Sequence, residues 1–83
     1  MNEPNRRIGK WLSVSELHPR EGAKTKQWAL ENVDGTLLGE IAWHGPWRCY
    51  VVTPLQHTIF HAQCLRDIAE FLTSVRKERM TKD

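Results

Sequence analysis

Residues 27–53 read "QWALENVDGTLLGEIAWHGPWRCYVVT", and the way this run pairs with itself decides the fold. Residues 27–33 form a short segment closed by Asp34-Gly35. That dipeptide accepts the positive φ a tight hairpin turn demands. Residues 36–43 return along it, His44-Gly45-Pro46 turns the chain again, and residues 47–53 make the next strand. Pro54 ends that strand, because proline has no N–H for the ladder. A two-residue Asp34-Gly35 loop sets Val33 opposite Thr36, hence Leu30 opposite Gly39 and Trp28 opposite Ile41. A three-residue His44-Gly45-Pro46 loop sets Trp43 opposite Trp47 and Ile41 opposite Cys49.

Opposed residues share a face, and faces alternate along a strand. One face is therefore expected to collect Trp28, Leu30, Leu37, Ile41, Trp43, Trp47, Cys49 and Val51. The other is expected to carry Gln27, Ala29, Glu31, Leu38, Glu40, Ala42, Arg48, Tyr50 and Val52. One face is apolar and one mixed, a division that a one-residue slip would scramble. Trp43 and Trp47 then read as a cross-strand aromatic pair in the core.

The flanks complete the reading. Residues 1–7 are expected as a flexible N-terminal arm, residues 8–17 ("IGKWLSVSEL") as a strand, and residues 18–26 ("HPREGAKTK") as a loop. After "LQHTIF", one helix is predicted over residues 61–79, with a frayed tail at 80–83. Its Cys64, Leu65, Ile68, Ala69, Phe71, Leu72 and Val75 fall within one half of a helical wheel. His61 is the expected N-cap, with Phe60 placed to staple against Leu65. The predicted fold is α+β: a three- to four-stranded antiparallel β-meander with one C-terminal α-helix packed on one face, in a single domain over residues 8–79.

At 83 residues the chain supports one modest core. Its 40% hydrophobic and 27% charged content is that of a globular protein without low-complexity runs. The net charge of +2 is too small to indicate nucleic acid by itself. The basic excess is N-terminal: residues 1–26 hold Arg6, Arg7, Lys10, Arg20, Lys24 and Lys26 against three glutamates, which reads as a solvated arm and loop. "MNEPNRRIGKW" has no apolar core of a secretory signal, and no segment is long enough to span a membrane. The two cysteines then read as free thiols in a reducing cytosol, so the expected location is cytoplasmic.

Several words of the sequence carry a resemblance. They are K-T-x-x-W at Lys24, Thr25 and Trp28, L-G-x-I-x-W at Leu38, Gly39, Ile41 and Trp43, and W-R-x-Y at Trp47, Arg48 and Tyr50. Pro54 follows, and then C-L-x-x-I-x-x-F at Cys64, Leu65, Ile68 and Phe71. Over about residues 24–72 the chain resembles a family of small uncharacterised proteins of tailed phages and prophages. The resemblance implies a phage or prophage setting, and with it the cytoplasm of a bacterial host cell, and a short antiparallel sheet with one helix. It brings no activity and no catalytic residues. The strand after Trp47 reads "CYVVTP" where such relatives are more aromatic, a departure that weakens an exposed stacking surface.

Candidate chemistry is sparse. Cys49, His57, His61 and Cys64 are the right types for a Cys2His2 metal set, but they lack a C-x2-C knuckle and Cys49 already has a place on the apolar face. Cys64 in the first helical turn, with His61 nearby, could be a thiol nucleophile, yet no third orienting group accompanies the pair. Glu31 and Glu40 share the polar face without a pocket for acid–base work, and no Gly-rich phosphate loop occurs. The reading is therefore a non-enzymatic binding module with no metal, no cofactor and no catalytic residues. Its expected working surface is the exposed sheet face, centred on Arg48, Tyr50 and Glu40 and flanked by Gln27, Lys24 and Lys26, acting on a protein partner or a second copy. The alternative is a nucleic-acid binder using the same face with the N-terminal basic residues.

Overall fold

A computed structural model describes residues 6–17 and 24–81. Five strands form one antiparallel sheet in chain order: β1 (Arg6–Arg7), β2 (Leu12–Glu16), β3 (Trp28–Asn32), β4 (Leu37–His44) and β5 (Cys49–Pro54). The α-helix α1 (Ala62–Thr81) lies across one face. The α+β meander is as the sequence predicts, with one strand more than expected.

That extra strand lies in the predicted arm. Arg6 pairs with Val14 and Arg7 with Ser13, so the arm's last two residues are part of the sheet. Their charge suits an edge strand, and both side chains are occupied. The Arg6 guanidinium lies 5.3 Å from the centre of the Phe71 ring, an attractive cation–π arrangement. Arg7 donates to the carbonyls of Gly9 and Lys10 at 3.3 and 3.1 Å and so braces its own turn. At the other end, the helix extends through Met80 and Thr81, which the sequence reading left to a frayed tail.

The first long hairpin keeps its outer register through two departures that cancel. Its loop has three residues, not two, for Asn32 and Thr36 close it with an N–H···O bond of 2.8 Å. Gly35 sits at φ 96°, as the glycine of a three-residue loop should. The Thr36 backbone N–H donates to Asp34 at 2.9 Å. That bond, with a second from the Thr36 hydroxyl, holds the exposed carboxyl below its ordinary range. Two residues later a β-bulge at Leu38 absorbs the extra loop residue. Leu30 therefore faces Gly39 and Trp28 faces Ile41, as expected.

The second hairpin does not keep its expected register. Residues 45–48 make a four-residue connection in which Gly45–Trp47 form a 3-10 turn and Arg48 is left-handed, at φ 55° and ψ 47°. The Arg48 N–H donates to the carbonyls of His44 and Gly45 at 2.9 and 3.0 Å. His44 thus faces Cys49, Trp43 faces Tyr50 and Ile41 faces Val52. The pairing is displaced by an odd number of places from the expected one, and an odd displacement exchanges the two faces of β5. Tyr50 and Val52 turn toward the helix, while Cys49 and Val51 turn away. Trp47 leaves the expected core pair altogether and is 71% exposed. Leu37 is exposed as well, and Leu38, in the bulge, packs on the core instead.

The core is Leu12, Val14, Trp28, Leu30, Ile41 and Tyr50 from the sheet against Cys64, Ile68, Phe71 and Val75 from α1. Leu65 and Ala69, assigned to the buried half of the helical wheel, are exposed. The Trp28 ring meets Tyr50 at 5.5 Å and Phe71 at 5.1 Å, both edge to face, the favoured geometry for aromatic pairs. Gly39 is held to glycine by a neighbouring strand. A Cβ there would fall 2.6 Å from the Thr53 carbonyl oxygen and 3.0 Å from the Pro54 Cα, both backbone atoms.

Two substitutions check this geometry in urea denaturation. Gly39→Ala is expected to lower stability by about 1–3 kcal/mol, the usual cost of forcing atoms into packed space. Arg48→Gly is expected to raise it by about 1 kcal/mol, because glycine carries no Cβ penalty in the left-handed region. A loss of stability in Arg48→Gly would instead place residue 48 in an extended strand.

Candidate functional site

The six residues singled out from the sequence do not form one surface. Glu40 is exposed on the open sheet face, opposite Ala29 and Thr53. Tyr50 lies on the other side of the sheet, 5% exposed, between the Trp28 and Trp43 rings at 5.5 and 5.1 Å. It is a core residue, so an Arg48–Tyr50–Glu40 centre does not exist. Arg48 sits on the turn, where its carbonyl accepts a bond of 3.0 Å from the Arg76 Nε. Gln27 is half-buried and its carbonyl accepts from the Leu17 N–H at 2.8 Å. Lys24 and Lys26 are exposed and line a small recess of about 110 Å³ with Trp28, Tyr50, Glu78 and Arg79. Lys26 approaches Glu16 at 3.9 Å. Of the other basic residues, Arg20 lies outside the described residues, and Arg6 and Arg7 are built into β1.

The candidate metal ligands do not gather, while His61 and Cys64 lie together. Cys49 lies on the open sheet face and Cys64 on the buried side of α1, and among the described residues no three His, Cys, Asp or Glu side chains gather as a metal set. His61 does cap the helix: its ring Nδ1 accepts the Cys64 N–H at 3.3 Å. The Cys64 sulfur lies 3.8 Å from Nε2 of the same ring. Because the cap bond uses the Nδ1 lone pair, a neutral His61 carries its hydrogen on Nε2. The imidazole then faces the sulfur with a donor, and this tautomer has no free lone pair to take the thiol proton. Glu31, of the suggested carboxylate pair, accepts from the Ser15 hydroxyl at 3.3 Å.

A different feature stands out. At the end of the sheet where α1 begins, a groove of about 600 Å³ is lined by Trp11, the hairpin tip with Leu37 and Leu38, and the connection from Leu55 to His61. The connection is an ordered wall. The Leu55 N–H donates to the Leu38 carbonyl at 2.8 Å, and the Thr58 hydroxyl donates to the Leu55 carbonyl at 2.8 Å. His57 takes a left-handed conformation at φ 70° to close this turn. Trp11, Leu37, Leu55 and Ile59 line the groove while exposed, Ile59 at 90%. Val33, whose N–H donates to the Trp11 carbonyl at 3.0 Å, is an exposed apolar neighbour. Scattered exposed apolar residues are ordinary, but a gathered set marks an interaction surface. The available sequence signal was the apolar content of the short loop "LQHTIF", which a solvated connection does not need. Among the described residues no carboxylate lines the groove; its ionisable liners are His57, His61 and Cys64, and the Lys10 Nζ lies 5.3 Å from the Trp11 ring centre.

These features define a small α+β protein: a five-stranded meander under one helix, apolar at one end. It is 34% identical over 59 residues to an uncharacterised 9.3 kDa protein of Acholeplasma phage L2, a match covering 70% of this chain and 76% of that protein. The chain belongs to the family of that phage protein, which agrees with the phage setting that the resemblance implied. No family model matches the chain. No solved structure matches it. Among the described residues no helix is long and apolar enough to cross a membrane.

Placing Tyr50 in the core has a measurable consequence. Tyr50→Ala is expected to cost about 3–5 kcal/mol, as for other buried aromatic truncations, read by urea or thermal denaturation. A variant as stable as the wild type would return Tyr50 to the surface.

Proposed function

We propose that the chain is a non-enzymatic binding protein that holds an apolar, acidic segment of another protein in the groove beside the start of α1. The observation that carries this reading is the gathering of Trp11, Leu37, Leu55 and Ile59, all exposed, around one ordered cavity. Burying such side chains against a partner is favourable by roughly 25 cal/mol per Å² of apolar area, before the costs of association. Charge selects the partner. Lys10 is the cation beside Trp11 and the His57 ring offers a further donor, so a segment with carboxylates beside its apolar anchors is complementary. Two copies joined groove to groove would set Lys10 and the donors of each against the like groups of the other, which favours a partner of a different sequence.

The test is selection of displayed random peptides against the immobilised full chain. Enriched peptides are expected to combine large apolar residues with Asp or Glu, and Ile59→Asp is expected to weaken them at least about ten-fold, the loss of roughly 1.4 kcal/mol. Glu40→Ala, on the open face, is expected to bind them as the wild type does. Peptides that bind Ile59→Asp undiminished, or that are lost in Glu40→Ala, would overturn the groove reading. A concentration-dependent dimer in sedimentation that disappears in Ile59→Asp would replace the foreign partner with a second copy.

A further inference from the structure

The opposite end of the molecule is basic and carries an unburied indole. Arg76 and Arg79 stand near the end of α1, one turn apart. Arg76 reaches the Arg48 carbonyl at 3.0 Å, and Arg79 shares a recess with Lys24 and Lys26. Five cations from three parts of the chain are thereby contiguous. Glu16, 3.9 Å from Lys26, and Glu78, in the recess, offset part of that charge. The Arg79 guanidinium lies 4.2 Å from the centre of the Trp43 ring, and its buried Nε meets no acceptor among the described residues. Beside Arg48, on the same turn, Trp47 is 71% exposed, its ring held edge-on to His44 at 4.7 Å.

We propose that this end binds single-stranded nucleic acid, with Trp47 stacking on a base and Arg48, Arg76, Arg79, Lys24 and Lys26 meeting the phosphates. An exposed aromatic beside a basic track is the pairing that single strands use, because every unpaired base offers a π-face. Duplex bases are already stacked and offer Trp47 no such face. An anionic membrane fits less well. Insertion into lipid needs apolar neighbours, and the chain neighbours of Trp47 are Gly45, Pro46 and Arg48, while the exposed Leu37, Leu55 and Ile59 line the groove at the other end. The inference is independent of what the groove holds.

The experiment titrates the full chain with a labelled single-stranded oligonucleotide of about 12 nucleotides, reading anisotropy and tryptophan fluorescence between about 50 and about 200 mM salt. Heparin and phosphatidylglycerol vesicles serve as base-free anions. Binding is expected with a log–log salt slope of about −2 to −3.5, at about −0.7 per phosphate met on a single strand. Trp47→Ala is expected to weaken it about ten-fold or more at unchanged slope, and Trp47→Phe to recover part of the loss. Arg76→Gln and Arg79→Gln should each flatten the slope by about 0.7. Trp47 packs little, so Trp47→Ala carries the test even if an arginine variant unfolds. Absence of binding at the lowest salt overturns the proposal. So does Trp47→Ala binding equal to wild type, or heparin or vesicles bound as tightly as the oligonucleotide.

Discussion

The Trp28 ring is where the three layers of contact in this protein meet. It arises from β3, its neighbour Tyr50 belongs to β5, and Phe71 belongs to α1. One indole therefore joins the middle of the sheet, its far edge and the helix. Edge-to-face pairs of this kind add roughly 0.5–1.5 kcal/mol each beyond the area they bury. Arg6, over the Phe71 ring, extends the contacts to the first strand. In so small a domain the apolar area is limited, so a single aromatic junction that touches every layer has unusual weight.

Much of this was legible in the sequence. Trp28, Leu30 and Ile41 were assigned to the buried face, and Ile68, Phe71 and Val75 to the buried side of the helix, because each lies in a periodic pattern that one strand or one helix can show by itself. The N-cap at His61 was legible for the same local reason. The faces of β5 were not. They depend on whether the β4–β5 connection holds three residues or four, and local pattern does not count turn residues. Arg48 hid the answer, since an arginine gives no warning of a left-handed backbone in the way a glycine does. Once the count changes, Tyr50 and Cys49 exchange sides, and the surface built on Tyr50 goes with them.

The groove was illegible for another reason. Trp11 comes from the β1–β2 turn, Leu37 from the start of β4, and Leu55 and Ile59 from the β5–α1 connection, and nothing in their spacing brings them together. Loops positioned by a rigid scaffold are where binding residues concentrate, and here the scaffold is the bulged end of β4 and the capped start of α1. Arg48 reads from the sequence as the centre of a sheet face, and Lys24 and Lys26 as its flank. Their association with Arg76 and Arg79 needed the helix to be laid across the sheet in a known direction.

That direction has a consequence in length. α1 holds 20 residues without a break, and at 1.5 Å of rise per residue it measures about 30 Å. Its first turn borders the groove, and its last turns carry the two arginines. The helix is thus a strut that keeps the two ends of the molecule at a set separation and facing apart. A partner seated at one end neither touches nor shields the other, and the distance between the two would change only if the helix itself were lengthened or broken.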